Sequence, residues 1–261
     1  MLAVENRLTR LFQKKNTRIL SIYFTAGFPN LQDTSVILQA IERAGADIIE
    51  LGIPYSDPIA DGPTIQMSNQ IALNNGMTLR LLLEQIADLR QYCQLPVLLM
   101  GYINPVMQFG MEKFCEEISK IGVDGLILPD LPMYEFQRDY QELFAKHQLS
   151  NIFLVTPETS QERIRIIDEQ SQGFIYIVSA SSTTGQTGEI SLHQETYFRR
   201  ISSMQLKNPC LVGFGIHDRE SFQKACRYMH GAIIGSAFIK NIHQSDQLEN
   251  SIQQFIGKII S

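Results

Sequence analysis

The chain has 261 residues, a formal net charge of −5, 44% hydrophobic residues and 19% charged ones. That supplies a sizeable core and argues against a disordered chain, which would carry fewer apolar residues and more charge. The acidic balance, with no basic stripe, argues against a nucleic-acid surface, and no apolar run reaches the ~18 residues of a membrane span.

In chain order, Met1–Arg10 carries Glu5, Arg7 and Arg10 and lacks the apolar segment of a secretory signal, so a cytoplasmic setting is expected. Short apolar runs then alternate with amphipathic stretches. The runs Ile19–Thr25, Asp47–Leu51, Pro96–Gly101, Gly125–Leu128, Asn151–Val155, Phe174–Ser179, Pro209–Phe214 and Gly231–Ile234 read as buried parallel strands. Between them, Thr34–Ala44, Thr78–Gln91, Met111–Ile121, Tyr134–His147, Ser160–Glu169 and Arg219–Tyr228 have helical spacing. A further helix is expected from Ser236 onward. Eight βα units without a dividing linker predict one α/β domain over 1–261, a single (β/α)8 TIM barrel. Five or six units would favour an open doubly wound sheet.

Two connections stand out, both following strands and so expected at the C-terminal face of the barrel. Gly52–Gly76 carries Pro54, Asp57, Asp61 and Pro63, and can be helical from about Ile65. Ser179–Ser191 is nearly devoid of large apolar anchors and reads either as a closing lid or as a slack surface loop.

The residues that could carry chemistry cluster at that face. Glu50 ends a strand among Ile48, Ile49, Leu51 and Ile53. Burial there disfavours the charged carboxylate and suits a general acid, unless a lysine or arginine pairs with it or it caps the next turn. Asp61 lies eleven residues on and can fold back over the same mouth, or simply form an Asp-Gly turn. Two carboxylates in unlike surroundings can hold different protonation states. Gly213, Phe214 and Gly215 after the seventh strand, and Gly235 and Ser236 after the eighth, suit a phosphate held by backbone N–H groups and a helix N-terminus; tight βα turns are the alternative. Gly185 lies in the loop after the sixth strand. Tyr176, Tyr102, Asn104 and Asp130 are polar residues near the same face. No Cys-x-x-Cys pair joins Cys93, Cys115, Cys210 or Cys226, and no His-x-x-x-His occurs, so reduced thiols and no metal site are expected.

Taken together, residues 49–66, Ile-Glu-Leu-Gly-Ile-Pro-Tyr-Ser-Asp-Pro-Ile-Ala-Asp-Gly-Pro-Thr-Ile-Gln, closely resemble the signature of tryptophan synthase alpha subunits. Phe-Thr-Ala-Gly-Phe-Pro at 24–29, Leu-Met-Gly-Tyr-Ile-Asn-Pro at 99–105, Gly-Val-Asp-Gly-Leu-Ile-Leu-Pro-Asp-Leu-Pro at 122–132 and Thr-Pro-Glu-Thr-Ser at 156–160 agree in order. So do Gly-Phe-Gly-Ile at 213–216 and Gly-Ser-Ala at 235–237.

The resemblance implies retro-aldol cleavage of indole-3-glycerol phosphate to indole and glyceraldehyde 3-phosphate, with no cofactor. It makes Glu50 the acid/base and Asp61 the second carboxylate, places Tyr176 in the active site, and assigns Gly185, Gly213, Gly215, Gly235 and Ser236 to the phosphate. Thr184 would meet Asp61 when the lid closes, and Met100, Leu126, Ile65 and Phe214 would sandwich the ring. A pyridoxal-phosphate beta subunit is the implied partner in an α2β2 assembly, facing Pro54, Asp57 and the Tyr102–Asn104 region. Phe28, Tyr23 and Ala180 depart from the pattern: aspartate, phenylalanine and a basic lid residue are usual there. A freestanding lyase without a beta partner, a non-catalytic partner-binding barrel and a generic phosphate-binding isomerase are the competing readings.

Overall fold

The computed structural model describes residues 4–179 and 192–261. Its strands are β1 (Ile19–Thr25), β2 (Ile48–Gly52), β3 (Val97–Met100), β4 (Gly125–Ile127), β5 (Ser150–Asn151), β6 (Leu154–Val155), β7 (Ile175–Val178), β8 (Cys210–Gly213) and β9 (Gly231–Ile234). All pairings between them are parallel, in the order β5-β4-β3-β2-β1-β9-β8-β7-β6.

The two ends of that order are neighbours in sequence, so the sheet is a closed barrel of eight strands whose fifth is interrupted. Ile152 N–H still donates to Leu126 O at 3.0 Å, and Tyr176 N–H to Phe153 O at 2.9 Å, so the segment joining β5 to β6 bridges β4 and β7. The expected strand Asn151–Val155 is therefore present, broken in its middle.

The period-2 geometry of the strands sorts the core into two shells. Ile19, Ile48, Leu98, Ile127, Ile152, Phe174, Tyr176, Leu211 and Ile233 fill the barrel. Their strand neighbours, such as Leu20, Ile22, Ile49, Leu51, Leu99, Leu126 and Val212, face the surrounding helices. Leu126 thus points away from the barrel interior, correcting its expected place against a bound ring; its neighbour Ile127 takes the inward position.

The helices predicted in the sequence are present, with the span 78–91 divided into Leu79–Gln85 and Leu89–Tyr92, and 134–147 running through a π-helical stretch at Phe136–Tyr140. Four more lie outside the predicted segments: Arg7–Lys14, Ile103–Phe109, Leu192–Ser203 and Leu248–Ile260. Arg7–Lys14 closes the N-terminal end of the barrel. Asn6 and Thr9 form a capping box at its start, and Leu8 is fully buried in the interior shell.

Beneath it, Asp124 is 1% exposed and accepts from Arg90 Nη2 at 2.8 Å, Arg7 N at 3.0 Å and Val97 N at 3.0 Å. Asn6 Nδ2 donates to the Asp124 carbonyl at 2.7 Å. This polar knot ties the first helix to the base of β3, β4 and β5, at the end opposite the candidate site. No helix among the described residues is long and apolar enough to cross a membrane.

Candidate active site

Glu50 lies on β2, two residues beyond the interior residue Ile48, and so faces into the barrel. Its side chain is fully buried. Ser21, on the neighbouring strand β1, donates from Oγ to Oε1 at 2.8 Å, while among the described residues Oε2 has no hydrogen-bond partner. Desolvation dominates: it pushes the carboxyl up to about 8, against the opposing pull of the Ser21 bond. Glu50 is therefore protonated at neutral pH. Because Ser21 already fills Oε1 as a donor, the acidic proton belongs on Oε2. Among the described residues no lysine or arginine pairs with it, which removes the salt-bridge alternative.

Asp61 is carried back over the barrel mouth by the loop leaving β2. Tyr102, following β3, fixes it: the phenol accepts from Ala60 N at 2.9 Å and donates to Asp61 Oδ2 at 3.2 Å. The Tyr102 ring stacks on Tyr55 at 5.0 Å. The helix Pro63–Asn74 starts immediately afterwards, with Pro63 in its first turn, where its missing N–H costs nothing. Burial raises the Asp61 carboxyl to about 6, and the Tyr102 bond holds it from going further. At pH 7 it is mostly ionised, so the two carboxyl groups are in different protonation states, as an acid paired with an electrostatic partner requires.

Both carboxyl groups lie near the same two tyrosines, Tyr23 and Tyr176, at one end of the barrel. There a cleft, open at its mouth, is lined by Asp61, Ile65, Met100, Tyr176, Phe214, Gly215, Gly235 and Ser236, together with Tyr23, Ile216 and Ile233. A mostly apolar wall with a few polar groups suits a small organic ligand. Glu50 is not part of the wall as it stands; the Tyr23 and Tyr176 rings near it are.

The opposite wall comes from the ends of β8 and β9. Phe214 adopts φ +68°, left-handed and uncommon for a bulky residue. It is held there by Ser179, whose N–H donates to Gly213 O at 3.2 Å and whose Oγ donates to Phe214 O at 2.8 Å. Gly213 serves Tyr176: a Cβ there would lie 2.1 Å from the Tyr176 hydroxyl. It lies beneath that ring and does not line the cleft, whereas Gly215, Gly235 and Ser236 do. Ser236 begins the helix Ser236–His243, whose N-terminus opens on the cleft.

Pro54 and Tyr102, expected to face a partner, are buried, and Tyr102 belongs to the site as the clamp on Asp61; Asp57 and Asn104 are exposed. Asp130 is a satisfied cap, accepting from Ile103 N at 3.0 and 3.1 Å. Phe28 is fully buried and stacks on His243 at 5.3 Å. Thr184, Gly185, Ala180 and the expected lid lie outside the described residues. Among the described residues no group of three or more His, Cys, Asp or Glu could hold a metal ion.

A model of the family described as "Tryptophan synthase alpha chain" matches residues 9–259. Two curated relatives carry the name tryptophan synthase alpha chain and are 52% identical over 254 residues. The one from Flavobacterium psychrophilum and the one from Flavobacterium johnsoniae each align with 97% of this chain and 99% of their own. Among solved structures, the tryptophan synthase alpha chain of Legionella pneumophila superposes with a TM-score of 0.87 at 30% identity, covering 98% of this chain and 96% of that one. The tryptophan synthase A-subunit of Pyrococcus furiosus gives 0.85 at 33% identity, covering 94% and 98%.

Proposed function

The chain belongs to the tryptophan synthase alpha chain family, lyases of tryptophan biosynthesis that split indole-3-glycerol phosphate into indole and glyceraldehyde 3-phosphate, and we propose that Glu50 supplies the proton and Asp61 the balancing charge for this reaction. The observation that carries the assignment is the pair itself: a clamped, ionised carboxylate in the wall of the apolar cleft, and a fully buried, neutral carboxyl in the barrel interior below it.

Carbon 3 of indole leaves poorly as a carbanion. Protonation of that carbon by Glu50 converts the ring to an indolenine that can accept the electron pair of the breaking bond. The positive charge this places on the ring nitrogen is stabilised by the Asp61 carboxylate, whose orientation Tyr102 fixes in advance. Glu50, now ionised, takes the proton of the adjacent side-chain hydroxyl. The C–C bond breaks, its electrons restore the aromatic ring, and the hydroxyl becomes the aldehyde; Glu50 is protonated again. Met100, Ile65 and Phe214 give the ring its apolar walls. Gly215, Gly235 and Ser236, with the N-terminus of the helix that follows, receive the phosphate, whose binding energy is remote from the reacting bond. Tyr176 packs at the cleft floor.

The partner we assign is a tryptophan synthase beta subunit, in an α2β2 assembly in the cytoplasm. The three most exposed large apolar side chains among the described residues, Ile59 at 89%, Tyr134 at 68% and Met107 at 57%, follow β2, β4 and β3 respectively. They accompany exposed Asp57 and Asn104 on the face where the Asp61 loop emerges. Apolar groups so placed fit a protein interface better than water. All four cysteines are free thiols, in keeping with a reducing compartment.

The test is incubation of the purified chain with indole-3-glycerol phosphate, detecting indole directly, with and without a beta subunit. Slow release by the chain alone, rising at least about tenfold with the partner, is expected if assembly favours the reactive arrangement of the site. Fast release unaffected by the partner identifies a freestanding lyase; no release in either case ends the assignment.

A further inference from the structure

The Tyr23 ring spans two strands beyond its own. Its Cδ1 edge lies 3.3 Å from where a Cβ on Gly235 of the β9 end would be, and its hydroxyl fills the space above Gly52, 2.3 Å from a Cβ built there. The ring thus runs across the cleft wall from the Gly235 side to the Asp61 side. At its hydroxyl end Tyr23 also borders a smaller neighbouring cavity with Asp61, Asn69, Met100 and Tyr102.

The hydroxyl belongs to a directed chain. Ser68 Oγ donates to Ile65 O at 2.8 Å, so its single proton is committed. Ser68 must then accept from Thr25 Oγ1, 2.7 Å away. With its own proton spent on Ser68, Thr25 can only accept from the Tyr23 hydroxyl at 3.4 Å. The contact is long, and its direction is set by the two shorter bonds behind it. The Tyr23 oxygen is left with lone pairs and no proton for the cleft. Of the charged groups around it, Asp61 acts on it most strongly.

We propose that Tyr23 is a specificity-determining residue: its oxygen and the Asp61 carboxylate are two acceptors facing one gap, which only a ring carrying an N–H donor can fill with a hydrogen bond. The ring nitrogen of the substrate shares its hydrogen between them in a three-centre bond. A ring of the same shape without that donor is rejected, because two buried acceptors then lose water and gain nothing. This rests on the indole-binding reading of the cleft given above.

The test uses two non-reacting probes, indole-3-propyl phosphate and its benzofuran counterpart, with calorimetric binding to the wild-type chain, Tyr23→Phe and Thr25→Val. The wild type is expected to prefer the indole probe. Tyr23→Phe should weaken the indole probe about 3- to 10-fold and leave the benzofuran probe within twofold. Thr25→Val keeps the ring in place but frees the Tyr23 proton to turn toward the cleft, so it too should shrink the preference, by a similar factor. Equal weakening of both probes by Tyr23→Phe would mean the ring matters and the hydroxyl does not, overturning the proposal. So would an unchanged preference in Thr25→Val. Failure of the wild type to bind the indole probe at all would instead overturn the cleft assignment beneath it.

Discussion

Glu50→Gln is expected to lower kcat for cleavage of indole-3-glycerol phosphate by about 10³-fold, within the 10²–10⁴ range of a lost general acid, while leaving binding of indole-3-propyl phosphate within about twofold. The substitution is nearly isosteric. The amide oxygen can still accept from Ser21 Oγ, which now lies 2.8 Å from Oε1, so strand geometry and barrel packing are kept. What disappears is the one transferable proton, on the oxygen that has no other partner. A structural role would be preserved by glutamine; a proton-donating role is not. Single-turnover indole release, set beside calorimetric binding, separates the two. If cleavage persists in Glu50→Gln, the proton comes from elsewhere and the acid must be sought among the tyrosines.

Asp124→Ala should have the largest effect on stability, about 3–5 kcal/mol, as expected when one partner of a buried ion pair is removed. Asp124 is 1% exposed, and its two oxygens serve Arg90, Arg7 N and Val97 N. Removing the carboxylate leaves the half-buried Arg90 guanidinium without its counter-charge and orphans two backbone N–H groups. Arg90 keeps its bonds to Gly122 O, Cys93 O and Leu95 O, which favours the lower end of the range. The thermal midpoint should fall by roughly 6–12 °C at that end. The site lies at the other end of the barrel, so kcat well below the transition should hold. A loss under about 1 kcal/mol would show that the polar knot under the first helix contributes little.

The barrel was legible because its strands are short, apolar and evenly interposed between amphipathic stretches; Ile19–Thr25 and Gly231–Ile234 were placed with the bounds the structure gives them. The helices outside the prediction fail for identifiable reasons. Arg7–Lys14 has Leu8, Leu11 and Phe12 at helical spacing, but its eight residues are mostly polar, and it is stabilised by plugging the barrel, which no local pattern shows. Ile103–Phe109 contains Pro105 in its first turn, which reads as a breaker unless the turn before it is known. The interrupted fifth strand is likewise a tertiary effect.

In the site, Glu50 and Asp61 were visible as carboxylates out of place in their surroundings. What was not visible is what holds them. Ser21, Tyr23 and Thr25 recur at period two in β1, the signature of polar residues facing into an otherwise apolar barrel. Reading that alternation puts Ser21 and Tyr23 on the inward face with Glu50, and the β1–β2 register then sets Tyr23 directly opposite Glu50. Tyr102 could not be assigned as the Asp61 clamp from sequence, because the contact depends on how the Asp61 loop folds back across β3. Gly213 shows the converse limit: a glycine at the expected place on a phosphate-binding strand end, whose missing side chain makes room for the Tyr176 ring.

The account stands most directly on the pH dependence of kcat/KM for indole release, measured from pH 5 to 9 in the wild type and in Glu50→Gln. Activity needs Asp61 ionised and Glu50 protonated. The rate should therefore fall below about 6, as Asp61 gains a proton, and above about 8, as Glu50 loses its own. That leaves a maximum near neutrality, and the upper limb should vanish in the residual activity of Glu50→Gln. A wild-type profile still rising through pH 8, or an upper limb that survives the substitution, would contradict the assignment of a neutral Glu50 as the proton source.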